Sequence, residues 1–329
     1  MFHQSLPDYH VKIGKLHAFI NKFLSLYVHL FYSKLPIELR YFVRDNIYLQ
    51  LRQKLYFFRD HVFKKKYKVI SYQGEFGGEL LFALPFAYWH YKNGTLLKTV
   101  SDTNSKDLYF FSENHQEKFK ERIWQASFHW GLPHTHYNLW YNFDKFEPVP
   151  YKEHFKNNVY LYDKPILIIA NRFNMEWDGP PVSFIDIPTL DYLIKKLKDK
   201  YQIIYNRPGK SRIVMDNSEI YELNENEWLR TTYPEVVMME DLYERDKDNL
   251  HSFNHLQLKV YANADKFISV HGGTGTFASY FGGTNIILSK KGLEHTFGCF
   301  HTIFPKLSGA TILHAKTEED LKDFVERYY

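Results

Sequence analysis

The sequence predicts an α/β protein built on parallel sheet, with two hydrophobic cores and a helical segment ahead of them. Three observations predict it. A chain of 329 residues exceeds the roughly 250 to 300 residues that a single core usually serves. Beyond residue 163, short apolar runs alternate with helical patterns, as parallel strands covered by helices on both faces do. Two glycine-rich turns, at 74–78 and 271–276, each follow a strand pattern and lead into a helix.

Composition bounds the function. Hydrophobic residues at 44% and charged residues at 24% match an ordinary globular chain, so extensive disorder is not expected. Aromatic residues reach 18%; core burial is the preferred reading of that excess, ahead of stacking on sugar or base faces. A net charge of +4 is too small to argue for nucleic acid, and none is expected as a partner. With Cys299 alone, no intramolecular disulfide and no cysteine metal cluster can form, which favours a reducing compartment. Met1 to Lys15 has no apolar stretch of signal-peptide length, and no run of about 18 apolar residues occurs anywhere. A cytoplasmic protein is expected.

In chain order, residues 1–66 read as a helical extension. Leu16, Phe19, Ile20, Phe23, Leu24, Tyr27, Leu30 and Phe31 recur at helical spacing, Pro36 marks a helix start, and a second helical pattern runs to about Phe63. Arg40, Arg44, Arg52, Arg59 and Lys64-Lys65-Lys66 flank the aromatic stripe. The preferred reading packs the stripe on the adjacent domain with its charges in water; the alternative is peripheral contact of residues 16–66 with an anionic membrane, at its inner face.

Residues 67–160 read as a first domain. Tyr67 to Tyr72 predicts a strand and Leu80 to Tyr91 a helix, with the first glycine turn between them. Lys106 to Phe111 and Val159 to Tyr162 read as strands, Glu113 to Ser127 as a helix, and Gly131 to Pro150 as loop. Pro148, Pro150 and Pro165 bracket a polar stretch that marks the boundary. Residues 161–316 form the second domain, with strands at Pro165–Ala170, Tyr201–Tyr205, Glu235–Glu240, Lys266–Val270, Asn285–Leu288 and Thr311–His314. Helices are expected at Thr189–Lys200, Leu250–Ala262, Thr276–Phe281 and His295–Phe304, with a C-terminal helix over 317–329.

The strongest chemical signal is the run 266–288, in which an apolar strand enters His271-Gly272-Gly273-Thr274-Gly275-Thr276, then a helix, then another strand. Glycines permit backbone conformations and close approach that a Cβ forbids, and the first amides of a helix carry partial positive charge. Such a turn suits a diphosphate, with hydroxyls of Thr274 and Thr276 and the imidazole of His271 facing it. A tight turn without a ligand is the competing reading; its place after a late strand of a doubly wound sheet favours the ligand.

The glycine turns and the strand-helix alternation over residues 163–316 resemble the GT-B glycosyltransferases, and His271-Gly272-Gly273 is similar to the donor loop of bacterial capsule and surface-glycan transferases. The resemblance implies two Rossmann-like domains facing across a cleft, with the nucleotide-sugar donor held by the C-terminal one and the acceptor by the N-terminal one. It also implies no obligatory metal and no cofactor. Gly74, Gly77 and Gly78 would approach the donor from the opposite side. Glu75, Glu79 and Asp102 are the candidate general bases for an acceptor hydroxyl; Glu79 would alternatively oppose its helix dipole. Arg172, Arg207 and Lys210 follow strands, where cations can grip phosphate, and Glu240 and Glu294 could accept from ribose or sugar hydroxyls.

The expected activity is transfer of a hexosyl or deoxyhexosyl group from a nucleotide sugar to a glycan or lipid-linked glycan acceptor. A nucleotide-sugar epimerase of the same fold and a non-catalytic glycan- or nucleotide-binding protein are the alternatives. Asp246-Lys247-Asp248 has the spacing of a metal-binding Asp-x-Asp, but it lies in a charge run and reads as solvated loop. His251 and His255, at i, i+4, lack the glutamate of His-Glu-x-x-His, so zinc is not expected there or at His134 and His136.

Overall fold

The computed structural model of the chain describes residues 15–123, 131–133, 143–176, 179–212 and 219–329. It is an α/β fold with two parallel sheets, of three and six strands. Helices α1 (Lys15–Phe31) and α2 (Ile37–Lys54) pack as a pair and lead into a π-helical turn, Phe58–Phe63. Next come β1 (Lys68–Ser71), a one-turn α3 (Phe76–Gly78), a π-helical segment Glu79–Ala83, α4 (Leu84–Lys92), β2 (Leu96–Asp102), β3 (His115–Phe119) and α5 (Tyr151–Phe155).

The larger sheet follows. It comprises β4 (Ile166–Ala170), α6 (Ile187–Leu197), β5 (Gln202–Asn206), α7 (Glu225–Thr232), β6 (Val237–Met238), α8 (Met239–Asp246), α9 (Phe253–Tyr261) and β7 (Lys266–Val270). It ends with α10 (Gly273–Ala278), β8 (Thr284–Leu288), α11 (Leu293–Thr296), α12 (Ile303–Lys306), β9 (Thr311–Ala315) and α13 (Glu318–Tyr328). Its spatial order is β6-β5-β4-β7-β8-β9, so the chain winds outward one way from β4 and then outward the other way from β7. That is the doubly wound, Rossmann-like order, whose crevice opens at the carboxyl ends of the two central strands.

Core packing follows from strand alternation. Ile166, Ile168 and Ala170 face one apolar cluster, and Leu167 and Ile169 face another. The first cluster runs without a break into the smaller sheet, through Ile70, Leu80 and Phe86. The two cores therefore lie one on each face of the large sheet, rather than one under each sheet. Polar ties cross the same junction: the Tyr280 hydroxyl donates to the Leu80 carbonyl at 2.5 Å, and Lys152 Nζ donates to the carbonyls of Ala264 and Phe281 at 2.8 Å.

Where strong period and glycine punctuation coincide, expectation and structure agree; β7 spans the expected residues. Elsewhere they differ for identifiable reasons. Lys106 to Phe111 is a run of turns, started by Asn104 at φ +64° and the Leu108 amide bonding back to Ser105. The expected helix from Glu113 begins instead with β3, whose polar sequence has no apolar period because it is an exposed edge. Val159 to Tyr162 is not a strand. The strand expected over Glu235–Glu240 stops at Met238, because Glu240 and Asp241 occupy the first turn of α8, where acids favour a helix. The expected His295–Phe304 helix is broken into short turns around Gly298, φ +64°. His134, His136 and much of the Gly131 to Pro150 loop lie outside the described residues.

Helix α1 departs most from the preferred reading of the extension. Leu24 and Val28 are buried, but Leu16, Phe19, Phe23, Leu26 and Leu30 face solvent. No helix among the described residues is long and apolar enough to cross a membrane.

Candidate functional site

The carboxyl ends of β4 and β7 adjoin at the switch point of the large sheet, and each delivers a polar residue there. Asn171 closes β4: its Oδ1 accepts the amides of Arg172 and Ile185, both at 2.9 Å, and its Nδ2 donates to the Ile185 carbonyl at 2.8 Å. The clamp aims Arg172 across the crevice. Its Nη1 approaches the His271 carbonyl at 3.4 Å and its Nη2 lies 4.0 Å from Glu176 Oε1, while its buried Nε has no acceptor among the described residues. A guanidinium with an unused donor and a half-buried side chain is suited to an incoming anion.

His271 closes β7. Its ring is buried, with Nε2 3.9 Å from Glu176 Oε2, and burial, reinforced by Arg172, holds its pKa well below the usual value. It stays neutral at physiological pH. Gly272 then takes φ +82° and ψ −151°, a region essentially closed to other residues, and a Cβ there would lie 2.7 Å from Arg172 Nη1. The first bond of α10 runs from the Thr276 amide to the Gly272 carbonyl at 3.0 Å, so the amides of Gly273, Thr274 and Gly275 precede the helical ladder. The Thr276 hydroxyl donates to the same carbonyl at 2.8 Å, and Gly275 is buried against Val270 and Ile287; Gly272, Gly273 and Thr274 are half-buried.

The two glycine turns come together, but closer than an intervening ligand would allow. A Cβ on Gly77 would sit 3.4 Å from the Gly273 nitrogen, and one on Gly273 would sit 2.9 Å from Phe76 Cδ1. The expectation of a pyrophosphate lying between them is corrected by that contact: Gly273 faces Phe76 and Gly77, and Arg172 lies against Gly272 on the other side. Gly78 abuts Tyr72, and the buried Gly74 gives its carbonyl to Arg122 Nη1 at 2.9 Å.

Two of the three candidate bases are withdrawn from solvent. Glu79 and Asp102 are fully buried around Arg122, whose Nη2 reaches Glu79 Oε2 at 2.8 Å and whose Nη1 reaches Asp102 Oδ2 at 3.2 Å. Glu79 Oε1 also accepts from Tyr109 at 2.9 Å and from the Ser101 hydroxyl. Burial, opposed by Arg122 and aided by the Glu79 charge, pushes the Asp102 pKa up to about 7. A base must come within hydrogen-bond reach of its substrate, so these two serve structure; Glu75, exposed at the start of α3, retains access. Arg122 was missed because its segment reads as helix.

The remaining candidates divide. Arg207 is buried and held by Glu225, with Nη2 to Oε2 at 3.0 Å, which commits its charge to a structural pair. Glu240 accepts from the Gly209 amide at 3.1 Å and Arg212 at 2.9 Å, bracing the loop after β5 instead of facing a ribose. Lys210 is exposed on that loop, and Glu294 is half-buried in the first turn of α11. Beside Glu294, at the ends of β8 and β9, the sequence reading missed a histidine pair: His295 Nε2 lies 2.7 Å from the Ser289 hydroxyl and His314 Nε2 3.0 Å from the Ser289 carbonyl. Burial lowers both pKa values, that of His314 to about 4.

A second cluster lies away from this edge. Asp107, from the turns after β2, meets His251 (Oδ1 to Nδ1, 2.9 Å) and His255 (3.9 Å), and ligand atoms of all three lie within 4.8 Å of one another. Neighbours in sequence do not reveal the cluster, because its carboxylate is 144 positions from His251. An aspartate bonded to a histidine at a helix start accounts for the arrangement without an ion. Asp246 of the Asp-x-Asp pairs with Arg245 and accepts from Tyr160.

Comparison with family models, with curated proteins and with solved structures returned no match. The fold and site thus define a doubly wound parallel α/β protein with a cation and a glycine turn at its switch point.

Proposed function

We propose that this edge binds the diphosphate of a nucleotide sugar, and that the protein is a GT-B-type glycosyltransferase acting on a glycan or lipid-linked glycan acceptor without a metal at the diphosphate. One observation carries the reading: Arg172, with a buried donor unused, lies over the Gly272 turn at the switch point, where doubly wound sheets hold ligands. The acceptor oxygen bonds to the anomeric carbon as the bond from that carbon to the diphosphate oxygen breaks. The electron pair leaves with the nucleoside diphosphate, stabilised by the Arg172 guanidinium and the Thr274 amide. The hydroxyl proton passes to a carboxylate, for which Glu75 is the exposed candidate. The smaller-sheet lobe would carry the acceptor.

Burial of Glu79 and Asp102 favours, as a second reading, a nucleotide-binding protein without transfer. A thermal-shift screen with UDP, GDP, CMP and dTDP nucleotides and their sugars tests the site. At about a hundred times Kd, one nucleotide class should raise Tm by roughly 5 °C, and Arg172→Gln and Gly273→Asp should abolish the shift while keeping the wild-type circular dichroism. If no nucleotide shifts Tm, or both variants respond as wild type does, the site is wrong. Acceptor-dependent release of nucleoside diphosphate would support transfer; acceptor-independent release would point to an epimerase, and binding without release to the second reading.

A further inference from the structure

Fifteen of the twenty-one exposed large apolar side chains among the described residues fall between Leu16 and Phe63. Helix α1 concentrates them. Leu16, Phe19, Phe23, Leu26 and Leu30 recur at alternating spacings of three and four, so they form one continuous stripe, and each is 60 to 72% exposed. The helix does not lack a partner for its other side: Leu24 and Val28 bury against α2, and Ser25 accepts from Arg44 Nη1 at 3.3 Å. The stripe is what remains after that packing is complete.

Its electrostatic setting selects the occupant. Helix α1 contains no acidic residue, and Lys15, Lys22 and His29 follow one another at intervals of seven along the flank of the stripe. Residues 15–66 hold eleven lysines and arginines against three acids, a net +8 in a chain whose total is +4; residues 1–14 are neutral, so 67–329 carry −4. Of the three acids Asp60 is buried in a pair with Lys145, 2.5 Å apart. The π-helical turn repeats the combination, with exposed Phe57, Phe58, Val62 and Phe63 running into exposed Lys64 and Lys65. Apolar side chains beside unpaired-in-sign basic ones match a surface that is apolar below and anionic above. A second copy of the same segment, residues 15–66, would set +8 against +8.

We infer that α1 lies in the interface of an anionic lipid membrane, with its Leu/Phe stripe among the acyl chains and Lys15 and Lys22 at the headgroups. The inference does not rest on the transferase reading. It is tested with the full chain and vesicles of phosphatidylcholine alone or with 30% phosphatidylglycerol, by co-sedimentation. Binding should require the anionic lipid and weaken as salt is raised. Phe19→Ser/Phe23→Ser/Leu26→Ser should reduce partitioning at least tenfold with an unchanged unfolding midpoint, and Lys15→Gln and Lys22→Gln should each reduce it roughly fivefold. Wild-type protein left in the supernatant, equal binding by the triple variant, or binding indifferent to lipid charge would overturn it. So would a wild-type dimer that the triple variant dissolves without any vesicle binding.

Discussion

Asp102 and Glu79 share a single guanidinium in a place that water does not reach, so one negative charge is left over. Removing a charge from water is costly, and the leftover charge is relieved by protonation, which is why the Asp102 pKa rises to about 7. Folded protein therefore binds more protons than unfolded protein between the ordinary aspartate value, about 4, and 7. Stability from this group falls as pH rises through that window and is level above it. Asp102→Asn removes the dependence, so in urea titrations its stability relative to wild type should climb from pH 5 to 7 and then plateau. A constant difference across pH 5 to 8.5 would mean that Asp102 is ionised throughout. Nothing adjacent in the sequence marks this triad: Glu79, Asp102 and Arg122 are each some twenty residues from the next, and polar β3 hides the element that brings Arg122 in.

At the scale of elements, the turn from β7 to α10 was legible because its requirements are local. A strand that must stop, a backbone at φ +82° and a helix that must start with open amides all need particular residues in consecutive positions. Gly272→Ala tests how tightly the turn is determined. Gly298 has a comparable φ, +64°, but nothing within 4 Å of its added Cβ, so Gly298→Ala should cost about 1 kcal/mol from strain alone. Gly272→Ala adds a collision with Arg172 in a conformation closed to alanine and should cost about 3 kcal/mol, measured by denaturant unfolding. Equal costs would show that Arg172 moves aside freely, and would weaken its place over the turn. The meeting of this turn with Phe76 and Gly77 was not legible, since a close approach of two glycine turns leaves the same local pattern as two turns that each face a ligand.

For the whole molecule, the decisive feature is that one apolar cluster joins Ile70 of β1 and Leu80 of the π-helical segment beside it with Phe267 of β7 and Phe304 of α12. Sheets that share a core cannot lose it separately. Calorimetry should show residues 67–329 unfolding in one transition, with the calorimetric and van't Hoff enthalpies in agreement; two resolved transitions would mean that the junction is a docking surface between independent domains. Length alone had suggested two cores, and two exist, but they are divided by the faces of the large sheet.

What the sequence by itself determined is whatever depends on a few consecutive residues: the alternation that makes β4, β5, β7, β8 and β9, the glycine turn, and the amphipathic period of α1. Only the tertiary structure decided which charges are used up, which candidate bases keep access to solvent, and whether the stripe of α1 is covered. The reason is physical. Backbone conformation is governed by neighbours along the chain, whereas burial and pairing are governed by neighbours in space, and here those come from segments as far apart as Leu80 and Tyr280.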